Sequence, residues 1–131
     1  RKMMNKLLGA EALQTAVYSK LSSITDVSVY DDVPETAEMP YIRIGRDSFS
    51  SDGSKTHEAC WATVSVDIYS DYAGLKEVKE ISGEVTDKLS TINTVINGFT
   101  IRYSDVDSVE YEEEDDGIRH ASLTVTFRVT Q

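Results

Sequence analysis

Apolar residues recur at intervals of three and four from Lys6 to Leu21, at Leu7, Ala10, Leu13, Ala16, Val17 and Leu21, with Glu11, Gln14 and Lys20 on the other side. That spacing predicts an amphipathic helix over residues 6–21. Ser22-Ser23 and Thr25-Asp26 then break the pattern, and Val27, Val29 and Tyr30 predict a short strand. Beyond Pro40 the period changes to two. Tyr41-Ile42-Arg43-Ile44-Gly45 alternates as a half-buried strand does, with Ile42 and Ile44 sharing a face. The next stretch, SFSSDGSKT from Ser48 to Thr56, has no apolar period and is expected to be an exposed, mobile connection. From Glu58 to Ser70 the alternation is strong: Ala62, Val64, Val66 and Ile68 face one way, Thr63, Ser65 and Asp67 the other, which predicts a central strand.

Leu75, Val78, Ile81, Ser82, Val85 and Leu89 form a second helical stripe, with Asp71 a candidate N-cap, Glu84 four residues before Lys88, and Gly83 a weak point. Asn97-Gly98, between Val95-Ile96 and Phe99-Thr100-Ile101, is the pair that a two-residue hairpin turn prefers, because both central positions need positive φ. Ile101–Tyr111 and Ala121–Val129 read as the arms of a second hairpin, joined through the acidic run EEEDDGIRH. No internal repeat occurs, and the order helix, strands, helix, strands is not the regular alternation of a doubly wound sheet. The expected fold is α+β: a mostly antiparallel sheet of about four to five strands with two helices packed on one face.

At 131 residues the chain fits one domain, residues 1–131. Arg1–Asn5 is read as a disordered or expression-derived extension, with the natural start at Met3 or Met4. No apolar run approaches the ~20 residues that span a bilayer, and no secretory signal is recognisable, so the expectation is a cytoplasmic protein without membrane contact. Cys60 is the single cysteine, which excludes an internal disulfide and a zinc ribbon. A net charge of −10 argues against general nucleic-acid binding, since affinity for a polyanion comes mostly from lysine and arginine on phosphates.

Candidate chemistry is thin. His57 and Glu58 are neighbours on an extended segment and point to opposite faces, so with Cys60 they do not readily share a metal. A nucleophilic site from Cys60 with His57 or His120 needs an orienting group and an oxyanion hole that nothing marks. The acidic run Glu110, Glu112, Glu113, Glu114, Asp115, Asp116 lacks the ligand spacing and internal glycine of a calcium loop, and reads as a solvated hairpin tip. There is no GxxxxGK[ST], GxGxxG or HExxH. No catalytic, cofactor-binding or metal-ligating residue is assigned, and no cofactor is expected.

Both prolines lie in one stretch, YDDVPETAEMPYIRIG, where Pro34 and Pro40 bound an acidic loop and hold Val33 and Met39 extended. Together with the helix before it, the strand VSVDIYS, the helix LKEVKEISGEVTDKLS and the closing strand HASLTVTFRV, this loop resembles the small tail-completion or tail-terminator proteins of long-tailed bacteriophages and prophages. The resemblance runs from about Leu7 to Val129; its most specific marks are Val33-Pro34 and Pro40-Tyr41. It implies a structural role without catalysis: a ring, hexameric when assembled, on the head-proximal end of the tail tube, ending tube growth and joining the head connector. The implied partners are further copies of the chain, the tail tube protein and a head completion or connector protein, with DNA only as passing cargo. The implied location is the host cytoplasm during assembly and then the head–tail interface of the virion. Six copies would carry a formal charge of −60, which repels DNA in a conduit.

Under that reading the candidate assembly contacts are Asp32, Pro34, Glu35 and Pro40 in the proline loop, Phe49, Asp52 and Lys55 in the serine-rich segment, and Glu112, Glu113, Glu114, Asp115 and Asp116 at the acidic tip. The last two segments are expected to project into the lumen or onto the tube, ordering on assembly; the rival is that both are ordinary solvated loops. The charge also suits an acidic adaptor or a DNA mimic binding a basic partner, and a small enzyme with an unmarked pocket is a third class.

Overall fold

The computed structural model describes residues 6–51 and 59–131, with only the backbone of Lys6, Leu7, Leu8 and Ser51. Arg1–Asn5, Asp52, Lys55, His57 and Glu58 lie outside the described residues. The chain runs α1 (Lys6–Leu21), β1 (Ser28–Tyr30), β2 (Tyr41–Ser51), β3 (Ala59–Ser70), α2 (Lys76–Ser90), β4 (Asn93–Ile96), β5 (Phe99–Glu113) and β6 (Arg119–Thr130).

The six strands form one mixed sheet in the order β1-β2-β3-β6-β5-β4. The architecture is α+β as expected, but the sheet has six strands rather than four to five, and β1 pairs parallel to β2. Three-residue β1 is the short strand that Val27, Val29 and Tyr30 predict, whereas four-residue β4 is too short to establish a period of two. The parallel pair arises because the proline loop returns the chain to the end of the sheet where β1 began. The Met39–Pro40 peptide bond within that loop is cis.

Burial follows the alternation. Cys60, Ala62, Val64, Val66, Ile68 and Ser70 on β3, with Ala121, Leu123, Val125, Phe127 and Val129 on β6, form one covered face. Against it α2 turns Val78, Ile81, Ser82, Val85 and Leu89, the stripe read from the sequence, with Leu75 partly buried beside them. The first helix contributes Ala12, Leu13, Ala16, Val17 and Leu21, and packs on α2 and on β2, β4 and β5. Full burial of such side chains stabilises by about 1.5–3 kcal/mol each, so this layer is the main term holding the helices to the sheet.

Two local expectations are corrected. The residue before α2 is Leu75, with no side-chain cap, so Asp71 does not cap the helix. Ser70, fully buried, instead donates to Glu77 Oε1 at 2.6 Å and accepts from the Tyr72 N–H at 3.0 Å, tying the end of β3 to the first turn of α2. Residues 48–51 are not a loop: β2 continues through them, pairing Ser48 with Thr63 and Phe49 with Ala62, and the Ser48 and Thr63 hydroxyls bond at 2.6 Å. The strand partner supplies the order that local composition does not. Phe49 is accordingly partly buried against the core rather than at a loop tip. The Asn97-Gly98 turn between β4 and β5 is as expected, with φ of 51° and 83°.

Candidate functional site

Among the described residues, no layer covers the face of the sheet opposite the helices. Register places Tyr41 on β2, Tyr69 on β3, His120 on β6 and Glu112 on β5 in one row across that open face. Tyr30 from β1 extends the row. Tyr30 meets Tyr41 edge-on with ring centroids 5.8 Å apart, Tyr41 lies 5.2 Å from Tyr69, and Tyr69 stacks on His120 at 4.4 Å with planes 7° apart.

Each end of the row leads into one of the acidic segments. Asp32 and Val33 of the proline loop line a polar cleft of about 290 Å³ together with Tyr41, Arg43 and Tyr69. Beyond them Pro34 and Glu35 are exposed, and a turn closed by the Ala37 N–H on Pro34 O at 3.0 Å holds the loop. Pro40 is half-buried where β2 begins. At the other end the β5–β6 hairpin carries Glu112, Glu113, Glu114, Asp115 and Asp116, all exposed, as a solvated tip should be. The tip turns through Asp116 and Gly117, both at positive φ, and is clasped by the Glu114 N–H donating to Ile118 O at 2.7 Å.

His120 joins the tip to the row. One ring nitrogen, Nε2, lies 2.8 Å from Asp67 Oδ1, and the other, Nδ1, lies 3.2 Å from Glu114 Oε1. Asp67 itself sits opposite Arg43. Burial pushes the Tyr69 hydroxyl above its usual value of 10.0; the Asp67 and Glu114 carboxylates and Tyr41 push it further, and Arg43 opposes them. One ligand atom from each of Glu112, Glu114 and His120 lies within 4.8 Å of the others.

The candidate contacts therefore separate into two groups. Asp32, Pro34, Glu35, Pro40 and Glu112–Asp116, far apart in sequence, share one end of the sheet. Phe49 lies toward the opposite end, and Asp52 and Lys55 fall outside the described residues. Cys60 and His120 cannot form a nucleophilic pair: Cys60 is buried on the helix face, and His120 is on the open face beside Tyr69, nine positions along β3. Sequence reasoning missed the aromatic row. Its signal was present, since Tyr69 and His120 occupy polar-phase positions of two strongly alternating strands, where an aromatic ring has no core to fill.

Both outer edges of the sheet are partly bare among the described residues. β1 covers only Tyr41–Arg43 of β2, and β4 covers only Phe99–Arg102 of β5. Irregularities of β5 at Ser104 and Asp107, with Asp105, Asp107, Glu110, Glu112 and Glu113 along it, guard that edge against indiscriminate pairing.

An open sheet face, an acidic end and two partly bare edges are, among the described residues, the surfaces left free for contact with other proteins. The chain belongs to the tail completion protein gp17 family, whose model matches residues 3–130. Membership makes it a structural component of a phage-type virion tail and not an enzyme. Its fold is similar to that of a chain in the virion of a native gene transfer agent particle, with 22% identity and a TM-score of 0.78, covering 93% of this chain and 97% of that one. It is also similar to the bacteriophage SPP1 gp17 protein, with 21% identity and a TM-score of 0.59, covering 95% and 91%. No curated protein matches the chain. No described helix is long and apolar enough to cross a membrane.

Proposed function

We propose that the protein forms a ring on the head-proximal end of the tail tube, ends tube growth and provides the joint to the head connector, with the proline loop and the acidic tip acting together as one contact surface. The observation that carries this reading is their placement: register puts Tyr41, at the end of the proline loop, and Glu112, at the start of the tip, in one row across four strands. Adjacent strands are about 4.8 Å apart, so a partner covering roughly 15 Å touches both segments.

Ring closure needs a heterologous contact, one patch meeting a different patch on the neighbour. The bare stretches of β2 and β5 lie on opposite sides of the sheet, an arrangement compatible with such head-to-tail packing. A hexamer would place a formal −60 around the passing DNA, discouraging adhesion within the channel. Partners in this reading are the chain itself, the tail tube protein and the head completion or connector protein.

The test is functional replacement in a producing strain that lacks the chain. Neutralising Glu112, Glu113, Glu114, Asp115 and Asp116 to their amides is expected to leave the protein folded while heads and tails accumulate unjoined. Wild-type joining by the neutralised protein would remove the tip from the contact surface.

A further inference from the structure

We propose that the neck of the β5–β6 hairpin binds one divalent transition-metal cation of the zinc type through Glu112, Glu114 and His120, with Asp67 orienting the histidine. Glu112 and Glu114 are two residues apart on extended backbone and so project to the same side, and Glu112 is the register partner of His120. Their ligand atoms already lie within 4.8 Å of one another. Tetrahedral coordination at about 2.0–2.2 Å needs separations of roughly 3.4 Å, a closure that exposed glutamate side chains reach by rotation.

Asp67 makes this more than a cluster of carboxylates. It comes from β3, two strands away from β5, and its Oδ1 lies 2.8 Å from His120 Nε2. A carboxylate accepting the proton of one ring nitrogen fixes the tautomer and leaves the other nitrogen a lone pair, the usual outer arrangement of a metal-bound histidine. With a cation bound, the lone pair would fall on Nδ1, the nitrogen that faces Glu114 at 3.2 Å. The stack with Tyr69 holds the ring plane, so the lone pair has a set direction.

Charge points the same way. Asp67, Glu112 and Glu114 surround one imidazole; Arg43 stands across from Asp67, and Arg119 is engaged with Glu113 and the Gly117 carbonyl. Glu112 has no lysine or arginine partner among the described residues and Glu114 meets only His120, so a divalent ion would neutralise both glutamates. The imidazole ligand selects a borderline cation such as Zn2+ over Mg2+ or Ca2+, which take oxygen donors. Binding would lock the tip to the sheet, whether or not the tip contacts a head or tube.

Isothermal titration of the full chain, without a histidine tag and after chelator treatment, with ZnCl2 at neutral pH tests this. The expected result is saturable binding of one equivalent, absent with MgCl2 at the same concentration. Glu112→Gln with Glu114→Gln, or His120→Gln alone, should weaken it by roughly ten-fold or more. Asp115→Asn with Asp116→Asn removes the same two charges from the tip without touching a ligand and should leave it unchanged. Circular dichroism confirms the fold of each variant, and the exposed glutamate pair carries the test if His120→Gln does not fold. No saturable binding, unchanged affinity in the glutamate variant, or equal loss in the Asp115/Asp116 control would each overturn the proposal.

Discussion

Tyr69 and His120 stack face to face, ring centroids 4.4 Å apart, although they are 51 positions apart in the sequence. The pair is the centre of the open-face row. Asp67 and Glu114 hold the histidine from two sides, so the pair also ties the acidic tip to the middle of the sheet.

The Tyr69 hydroxyl gives the row an alkaline signature. Its pKa is raised in the folded protein, mainly by burial and then by Asp67, Glu114 and Tyr41, so folding favours its neutral form. The resulting stability is complete below the unfolded value of 10.0 and is lost as pH rises through the higher folded value. Thermal midpoints measured from pH 8 to 11 should fall less steeply in Tyr69→Phe than in the wild type. Parallel curves would contradict this environment for Tyr69.

Gly45 sits in the β2 irregularity between Ile44 and Asp47, where the Arg46 N–H donates to Ser65 Oγ at 2.9 Å. A Cβ on Gly45 would fall on that same Ser65 oxygen and lie 3.3 Å from both Asp67 Oδ2 and the Ser65 carbonyl. Overpacking of this kind costs about 1–3 kcal/mol. Urea denaturation of Gly45→Ala should show a loss in that range, whereas Gly83→Ala, where nothing lies within 4 Å of the new methyl group, should stabilise α2 by up to about 1 kcal/mol.

Phe127 is fully buried and meets Tyr103 edge-on at 6.3 Å. Phe127→Ala should cost about 3–5 kcal/mol. Val95, 66% exposed on β4, should tolerate alanine within about 0.5 kcal/mol, measured by the same denaturation.

Gly98 occupies φ = +83° in the turn joining β4 to β5. Alanine there is strained, and a loss of about 1 kcal/mol or more in Gly98→Ala is expected by thermal denaturation. Asn97→Gly, at φ = 51°, should change little, because glycine adopts that conformation readily.

Both helices were legible from their apolar spacing, and α1 has the predicted bounds, although its buried face takes in Ala12 while Ala10 of the predicted stripe is only half-buried. The long strands β3 and β6 were legible for the same reason. The end of β2 was not: Ser48, Ser50 and Ser51 have no apolar signal, and their order comes from pairing with Thr63, Trp61 and Cys60. The direction of β1 was hidden because parallel pairing is decided by where the proline loop delivers Tyr41, a non-local matter. The acidic tip and the proline loop each stood out in the sequence. Their common location did not, since it depends on the register of four strands, and the aromatic row between them has the same origin.

The claim that the protein caps the tail tube is tested most directly by electron microscopy of tails assembled with and without it. The expected result is a ring of additional density at the head-proximal end when the protein is present, with tubes of uniform length competent to join heads. Without it, tubes should lack the ring, vary in length and fail to join. Tubes of normal length and normal joining in its absence would contradict the account.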